Sequence, residues 1–225
     1  MKSIIFSLFY LISIGGQAQS IKEDFNKMLE AYKGVTNLYI EMENKVYQGD
    51  DLQNESSSLI RKKGNNYLYN LSEHAMLIND KYVVLVDKRN YNIVFDKFTK
   101  ERAEYLNNMQ IPIREDLLNL YPSVTYMGIT QNLKHYHLEN DQEKIHKMDL
   151  FFDVSTGFVK RAVYYHNPKL IPGNMRSEID LKVINTQPTF SEKTFSETQF
   201  FTTKDGQNIP ARAYTKYSVR NATKR

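Results

Sequence analysis

The 225-residue sequence has no cysteine, no tryptophan, nine glycines and six prolines. Without cysteine there are no disulfides, no thiolate nucleophiles and no cysteine-ligated metals, so stability must come from burial. So few glycines leave no glycine-rich loop to cradle a phosphate, and there is no Gly-x-Ser-x-Gly, no supported Ser-x-x-Lys and no His-Glu-x-x-His. An enzyme is not expected, and neither is a cofactor. The formal charge is only +4, and Lys and Arg are dispersed rather than gathered in a block, which argues against nucleic acid as a partner.

Long hydrophobic runs are also missing. Residues 4–14 are apolar apart from Ser7 and Ser13, a run too short to span ~30 Å of hydrocarbon. With Lys2 before it and Gly16-Gln17-Ala18 after it, the run reads as a signal peptide, residues 1–18, cleaved after Ala18. The mature chain is expected to be exported, periplasmic and monomeric, with no lipid-anchoring Cys. About 207 residues remain, enough for one domain over residues 19–225.

What the sequence does have is alternation. Ser20-Ile21-Lys22-Glu23 is a capping box opening a helix, with Ile21, Phe25, Met28, Leu29 and Tyr32 at helical spacing and Gly34 at its end. Residues 36–47 then alternate, Leu38, Ile40, Met42 and Val46 against Tyr39, Glu41, Glu43 and Lys45, as a strand with one buried face does. A polar loop is expected at 48–54, followed by strands at 55–63 and 67–71. Residues 75–79, 82–87 and 92–95 form a tight meander whose turns are rich in Asn and Asp. Residues 99–108 and 114–120 have helical character, broken by Ile111-Pro112-Ile113. Strands resume at 123–129, 133–139, 143–154, 158–166 and 178–184, with a last one near 212–219. About ten antiparallel strands and two helical segments predict a mainly β (α+β) fold. Its architecture is expected to be an open, strongly curved antiparallel half-barrel with the N-terminal helix and a helical lid on the concave face.

Over residues 25–120 the sequence resembles the LolA-like family of periplasmic outer-membrane lipoprotein carriers. Leu59-Ile60-Arg61-Lys62-Lys63-Gly64 followed by Tyr67-Leu68-Tyr69 is similar to the family's basic turn and next strand. Ile78-Asn79-Asp80-Lys81-Tyr82 through Val86-Asp87 and Ile93-Val94 is similar to its central strand pair. Residues 111–120 fall where the family has lid helices. The resemblance implies a carrier that binds lipid or lipoprotein acyl chains, with Arg61 or Lys62 holding the lid. Tyr67 and Tyr69 stand where the family has Trp, and Asp80-Lys81 replaces its Asp-Gly turn.

Alternation assigns Leu38, Ile40, Met42, Met76, Ile78, Val84 and Leu150 to the inward face, and Leu117 and Leu118 to the lid. Sixteen Tyr and twelve Phe would suit an apolar cavity, and equally an ordinary aromatic core. His135 and His137 project from one strand face, flanked by Lys134 and Glu139. That setting reads as surface imidazoles rather than a metal site. Asp149 and Asp153 alternate on one strand. The expected function is an exported carrier of a hydrophobic ligand. The alternative is a non-enzymatic structural or docking protein of the cell envelope with a filled core, binding envelope proteins through a sheet edge or aromatic patch.

Overall fold

The computed structural model describes residues 13–99 and 116–223. The helix α1 spans Ser13–Gly34 and is followed by β1 (Asn37–Gln48), β2 (Asp51–Lys63), β3 (Asn66–Asn70), β4 (His74–Ile78), β5 (Tyr82–Asp87) and β6 (Asn92–Lys97). After the one-turn helix α2 (Leu117–Leu120) come β7 (Ser123–Thr130), β8 (Leu133–Glu139), β9 (Ile145–Asp153), β10 (Val159–His166) and β11 (Met175–Asn185). A hairpin of β12 (Phe201–Lys204) and β13 (Gln207–Pro210), and finally β14 (Ser218–Asn221), close the described chain. Twelve strands are hydrogen-bonded in the order β14-β6-β5-β4-β3-β2-β1-β11-β10-β9-β8-β7, with β12 and β13 forming a sheet of their own. Among the described residues the ladder ends at β14 and β7 without closing, so it is an open sheet and not a closed barrel, the fold class expected from the sequence.

Several boundaries differ from those expected. The helix begins at Ser13 instead of Ser20: no proline lies between them, so the hydrogen-bonded ladder runs on upstream of the capping box. The loop expected at 48–54 shrinks to the two residues between β1 and β2, because polar, exposed residues such as Gln53 and Asn54 still extend the strand where both faces are wet. The strand expected near 212–219 is a 3-10 turn, Arg212–Tyr214, and then β14. β14 pairs parallel to β6, Val219 facing Ile93, so the sheet is antiparallel except at this edge. Most of the expected lid, residues 100–115, lies outside the described residues.

The chain groups into two compact units. The first holds α1, α2, β7–β10 and the adjoining parts of β1, β2 and β11. Here Tyr136 lies opposite Leu150, and Leu150 opposite Ala162, so the three side chains share one face of β8–β10. Met148, Leu138 and Phe152 complete that buried face. The helix lies on it: Ile21, Phe25, Met28, Leu29 and Tyr32 are buried, and the Tyr32 ring meets Phe158 edge-on at 4.8 Å. Asp24, also buried, accepts from Lys134 Nζ at 2.9 Å and from Tyr136 Oη at 2.5 Å.

The second unit holds β3–β6, the remaining parts of β1, β2 and β11, and the C-terminal segment. The register places Leu68, Leu77, Val84 and Phe95 in one row and Ala75, Val86 and Ile93 in the next. Phe195, Phe200 and Phe201 cover these rows, with Phe190, Tyr82, Tyr214 and Tyr217 around them. Phe201 stacks on Phe95 at 4.4 Å. This C-terminal strap is pinned by Asn79, whose side-chain amide donates to Phe195 O at 3.1 Å and to Glu197 Oε2 at 3.0 Å.

Because Phe201 is fully buried in the strap core, Phe201→Ala is expected to cost about 3–5 kcal/mol of unfolding free energy. Leu85→Ala, at an exposed position, should cost well under about 1 kcal/mol. Urea denaturation of both variants checks the contrast.

Candidate functional site

The second unit has a second apolar face, opposite the strap. Directly opposed residues of an antiparallel pair share a face, so Lys62, Tyr67, Ile78, Val83 and the buried Asp96 form one row across β2–β6, charged at both ends and apolar between them. Ile60, Tyr69, Met76, Leu85 and Val94 form the next, across β2–β6. The Tyr67 and Tyr69 rings lie parallel with centroids 6.0 Å apart, and Lys62 Nζ sits 5.9 Å from the Tyr67 centroid. Exposure grades along the second row from β2 to β5, with Val94 on β6 half-buried again. Ile60 and Tyr69 are buried, Met76 is half-buried, and Leu85 is 45% exposed. This tyrosine face is therefore an apolar track that begins inside the unit and reaches solvent.

Not all of its polar groups are satisfied. Tyr69 Oη is buried without a hydrogen-bond partner among the described residues. Burial pushes the Tyr67 phenol up to about 12, raises that of Tyr69 as well, and lowers the Lys62 ammonium from its ordinary value. At the ends of β2–β5, just beyond Lys62, Tyr67 and Ile78, a cleft of about 700 Å³ opens between Thr36, Gly64, Asn66, Asn79 and Phe98. A second cleft of about 450 Å³ lies by Met42, Leu59, Leu71, Lys88 and Lys182. There Lys88 Nζ donates to Leu71 O at 2.8 Å and Lys182 pairs with Glu43 at 2.8 Å, so both lysines are engaged.

The residues expected inward divide three ways. Met76 and Ile78 lie on the tyrosine face. The Arg61 guanidinium, opposite Leu68, lies 5.8 Å from the Tyr39 ring. That puts Tyr39 on the strap side and its alternating neighbours Leu38, Ile40 and Met42 on the tyrosine side. Leu38 and Ile40 are buried and Met42 is half-buried. Val84 does not join them: it pairs with Leu77 and is buried under the strap, one residue out of phase with Ile78. Leu150 belongs to the first unit, in the face beneath α1. In α2, also in the first unit, Leu117 is buried and Leu118 half-buried. Of the two basic residues, only Lys62 faces the tyrosine side.

Sequence reasoning missed the double-sided burial. Its trace is the unbroken apolar runs Ala75-Met76-Leu77-Ile78 and Tyr82-Val83-Val84-Leu85-Val86, which strands wet on one face do not show. It also misread Lys134 as flanking a wet face. Lys134 alternates away from the histidines and reaches Asp24.

On the other face of β8–β10 stands a polar cluster in the first unit. Asp149 Oδ1 lies 2.8 Å from His135 Nε2 and 2.7 Å from His137 Nδ1, and Tyr165 Oη donates to Oδ2 at 3.0 Å. Glu139 lies 3.2 Å from His137 Nε2 and 2.9 Å from Lys147 Nζ. Among the described residues no group of three His, Asp or Glu side chains is arranged to hold a metal ion. The ring nitrogens are already turned to one carboxylate oxygen. Asp153 instead binds the following turn, accepting from Ser155 and Thr156.

Burial works against the His137 cation, but hydrogen bonds to Asp149 and Glu139 outweigh it and raise the ring above its ordinary 6.5. Burial likewise opposes the Asp149 charge, and hydrogen bonds from His137, His135 and Tyr165 outweigh it, lowering the carboxyl below 3.8. The His137 contribution to stability is thus complete below 6.5 and lost as pH rises through its raised value. That of Asp149 is present above 3.8 and lost as pH falls through its lowered one. The drop in melting temperature caused by His137→Gln should therefore be larger at about pH 5.5 than at about pH 8.5. An equal drop at both would mean that the ion pair contributes nothing.

No family model matches the sequence, and no curated protein matches it. Among solved structures, an uncharacterized conserved protein from Thermus thermophilus is similar with a TM-score of 0.50 and 10% identity, covering 90% of this chain and 99% of that one. A LolA superfamily protein from Nitrosomonas europaea is similar with a TM-score of 0.36 and 11% identity, over 80% of this chain and 98% of that one. A putative outer membrane lipoprotein-sorting protein domain from Vibrio parahaemolyticus has a TM-score of 0.35 and 10% identity, over 81% and 97%. The likeness to the Thermus thermophilus protein is one of fold alone.

Proposed function

We propose that this protein is an exported, non-enzymatic carrier that holds a lipid or lipoprotein acyl chain against the tyrosine face of its second unit. The observation that carries the reading is the graded track Ile60–Tyr69–Met76–Leu85. Its buried end offers apolar walls and its exposed end offers access. Each methylene moved from water onto such a surface contributes about 0.8 kcal/mol, so a medium-length chain gains enough to be retained and still released. Leu38, Ile40 and Met42, on the same side of β1, extend the lining. Among the described residues no helix is long and apolar enough to cross a membrane, and the signal peptide read at residues 1–18 supports export.

One observation favours a second reading, that of an envelope docking protein with a filled core. The strap absorbs Phe190, Phe195, Phe200, Phe201, Tyr214 and Tyr217, so much of the aromatic content is core and speaks for no cavity.

Native mass spectrometry of the mature protein separates the two, a carrier retaining an apolar adduct or taking up a hydrophobic dye. Leu85→Glu should abolish dye uptake with little change in melting temperature, because Leu85 stands at the exposed end of the track. Leu77→Ala, under the strap, should cost about 2–5 kcal/mol of stability and leave uptake intact in the folded fraction. Dye uptake unaffected by Leu85→Glu, or absent altogether, favours the docking protein.

A further inference from the structure

A purely hydrophobic cargo would need neither a lysine nor an unpartnered phenol on the tyrosine face. Lys62 occupies the corner of the face, in the row of Tyr67 and Ile78. Its aliphatic stem lies along an apolar surface and its ammonium stands over the Tyr67 ring. The next residues of β2 and its turn, Lys63 and Gly64, border the cleft of about 700 Å³, a volume within the range of small-ligand pockets. Tyr69 Oη, buried and unpartnered among the described residues, adds a second donor diagonally across from Lys62. Two donors at the closed end of an apolar track form the complement of an anionic head with a hydrophobic tail.

We infer that the cargo is an anionic amphiphile, its carboxylate or phosphate held by Lys62 at the cleft and its chain lying along Tyr69, Met76 and Leu85. This rests on the carrier reading and names the ligand class of the same site. The track from β2 to β5 crosses three strand spacings, about 14 Å, which suits an extended medium-length chain. Partial desolvation already lowers the Lys62 ammonium from its ordinary value, so an incoming anion restores the charge balance that the fold leaves open. Asp80, on the rim of the cleft, is exposed and adjoins the turn, and Asp96, opposite Val83 on the same face, stands on β6, four strands from Lys62, so Lys62 is the cation of this face and the acidic group lies at the far side of the track.

The test is displacement of a bound hydrophobic dye from the mature protein by four probes: dodecanoate, dodecyl phosphate, dodecanol and inorganic phosphate. The two anionic amphiphiles are expected to bind at least about tenfold more tightly than dodecanol, and inorganic phosphate alone not to compete. Lys62→Met keeps the stem and should erase that tenfold preference of the anionic amphiphiles over dodecanol. Arg61→Met, on the opposite face, should preserve the preference. If Lys62→Met does not fold, as judged by its melting curve, Lys62→Gln is read the same way. Equal affinity of wild type for anion and alcohol, or a preference that survives loss of Lys62, overturns the anionic cargo and leaves the carrier standing. Inorganic phosphate competing as well as dodecyl phosphate would reduce the site to a plain anion site and overturn the amphiphile. No binding of any dodecyl probe overturns the carrier itself.

Discussion

The structure of the second unit depends on one constraint: strands β3, β4 and β5 are apolar on both faces. Three consecutive residues of β3, Tyr67, Leu68 and Tyr69, are all buried. A pleated strand can bury consecutive side chains only if each face has its own cover. For the Leu68 face that cover is the C-terminal strap, and its cost in ordered chain is high. Residues 186–217 adopt no long helix or strand and must be fixed individually by rings and caps. Phe201 on Phe95 and Asn79 on Phe195 O provide that fixation. The strap in turn delivers β14 to the edge of β6. The parallel pairing there follows, because a chain arriving from across the face need not reverse as a hairpin does.

In the first unit the equivalent constraint is a single charge. Asp24 lies on the buried side of α1, where an ionised carboxylate is tolerated only if it is paired and hydrogen-bonded. Lys134 supplies the charge and Tyr136 a hydroxyl, from positions two apart on β8, hence from the same face of that strand. Such a pair adds less to stability than an apolar isostere would, since both ions are taken out of water. Its effect is on register. A shift of β8 by one residue would turn Lys134 away and leave Asp24 buried alone. The same alternation puts His135 and His137 on the other side, where Asp149 receives both.

How far these features were legible follows from the range of the signals. The helix face from Ile21 to Tyr32, the meander and the hairpin turns are local patterns, and periodicity finds them. The turn between β7 and β8 shows why: Gln131 and Asn132 both adopt positive φ, 51° and 63°, as a two-residue hairpin requires. Which face of a strand is inward is a different matter when both are apolar. Val84 and Ile78 look alike in sequence, and only the register, with Leu77 opposite Val84, separates them. Arg61 and Lys62 were likewise interchangeable until alternation about Leu68 and Tyr67 divided them. The strap was not legible at all, because its irregular backbone has no period and its rings pair with residues more than a hundred positions away.

The two faces differ most in how they treat polar groups. On the strap side, Asn79 is buried with both ends of its side-chain amide matched. Its amide donates to Phe195 O and Glu197, its side-chain oxygen accepts from the backbone of Lys81 and Tyr82, and its own N–H reaches Tyr82 O. That is how a finished core accommodates a polar residue. On the tyrosine side, Tyr69 buries a hydroxyl that nothing described receives, at a cost of about 1–3 kcal/mol that a phenylalanine would avoid. Lys62, beside it, sits partly desolvated over a ring and not against a carboxylate. Folding alone selects against both arrangements, and although Tyr32 Oη in the first unit is also buried without a hydrogen-bond partner among the described residues, only on the tyrosine face does such a phenol neighbour a partly desolvated lysine. Local departures from a consistent fold tend to mark the place where the protein does its work. Here the two departures stand side by side, at the closed end of an apolar track that opens to solvent.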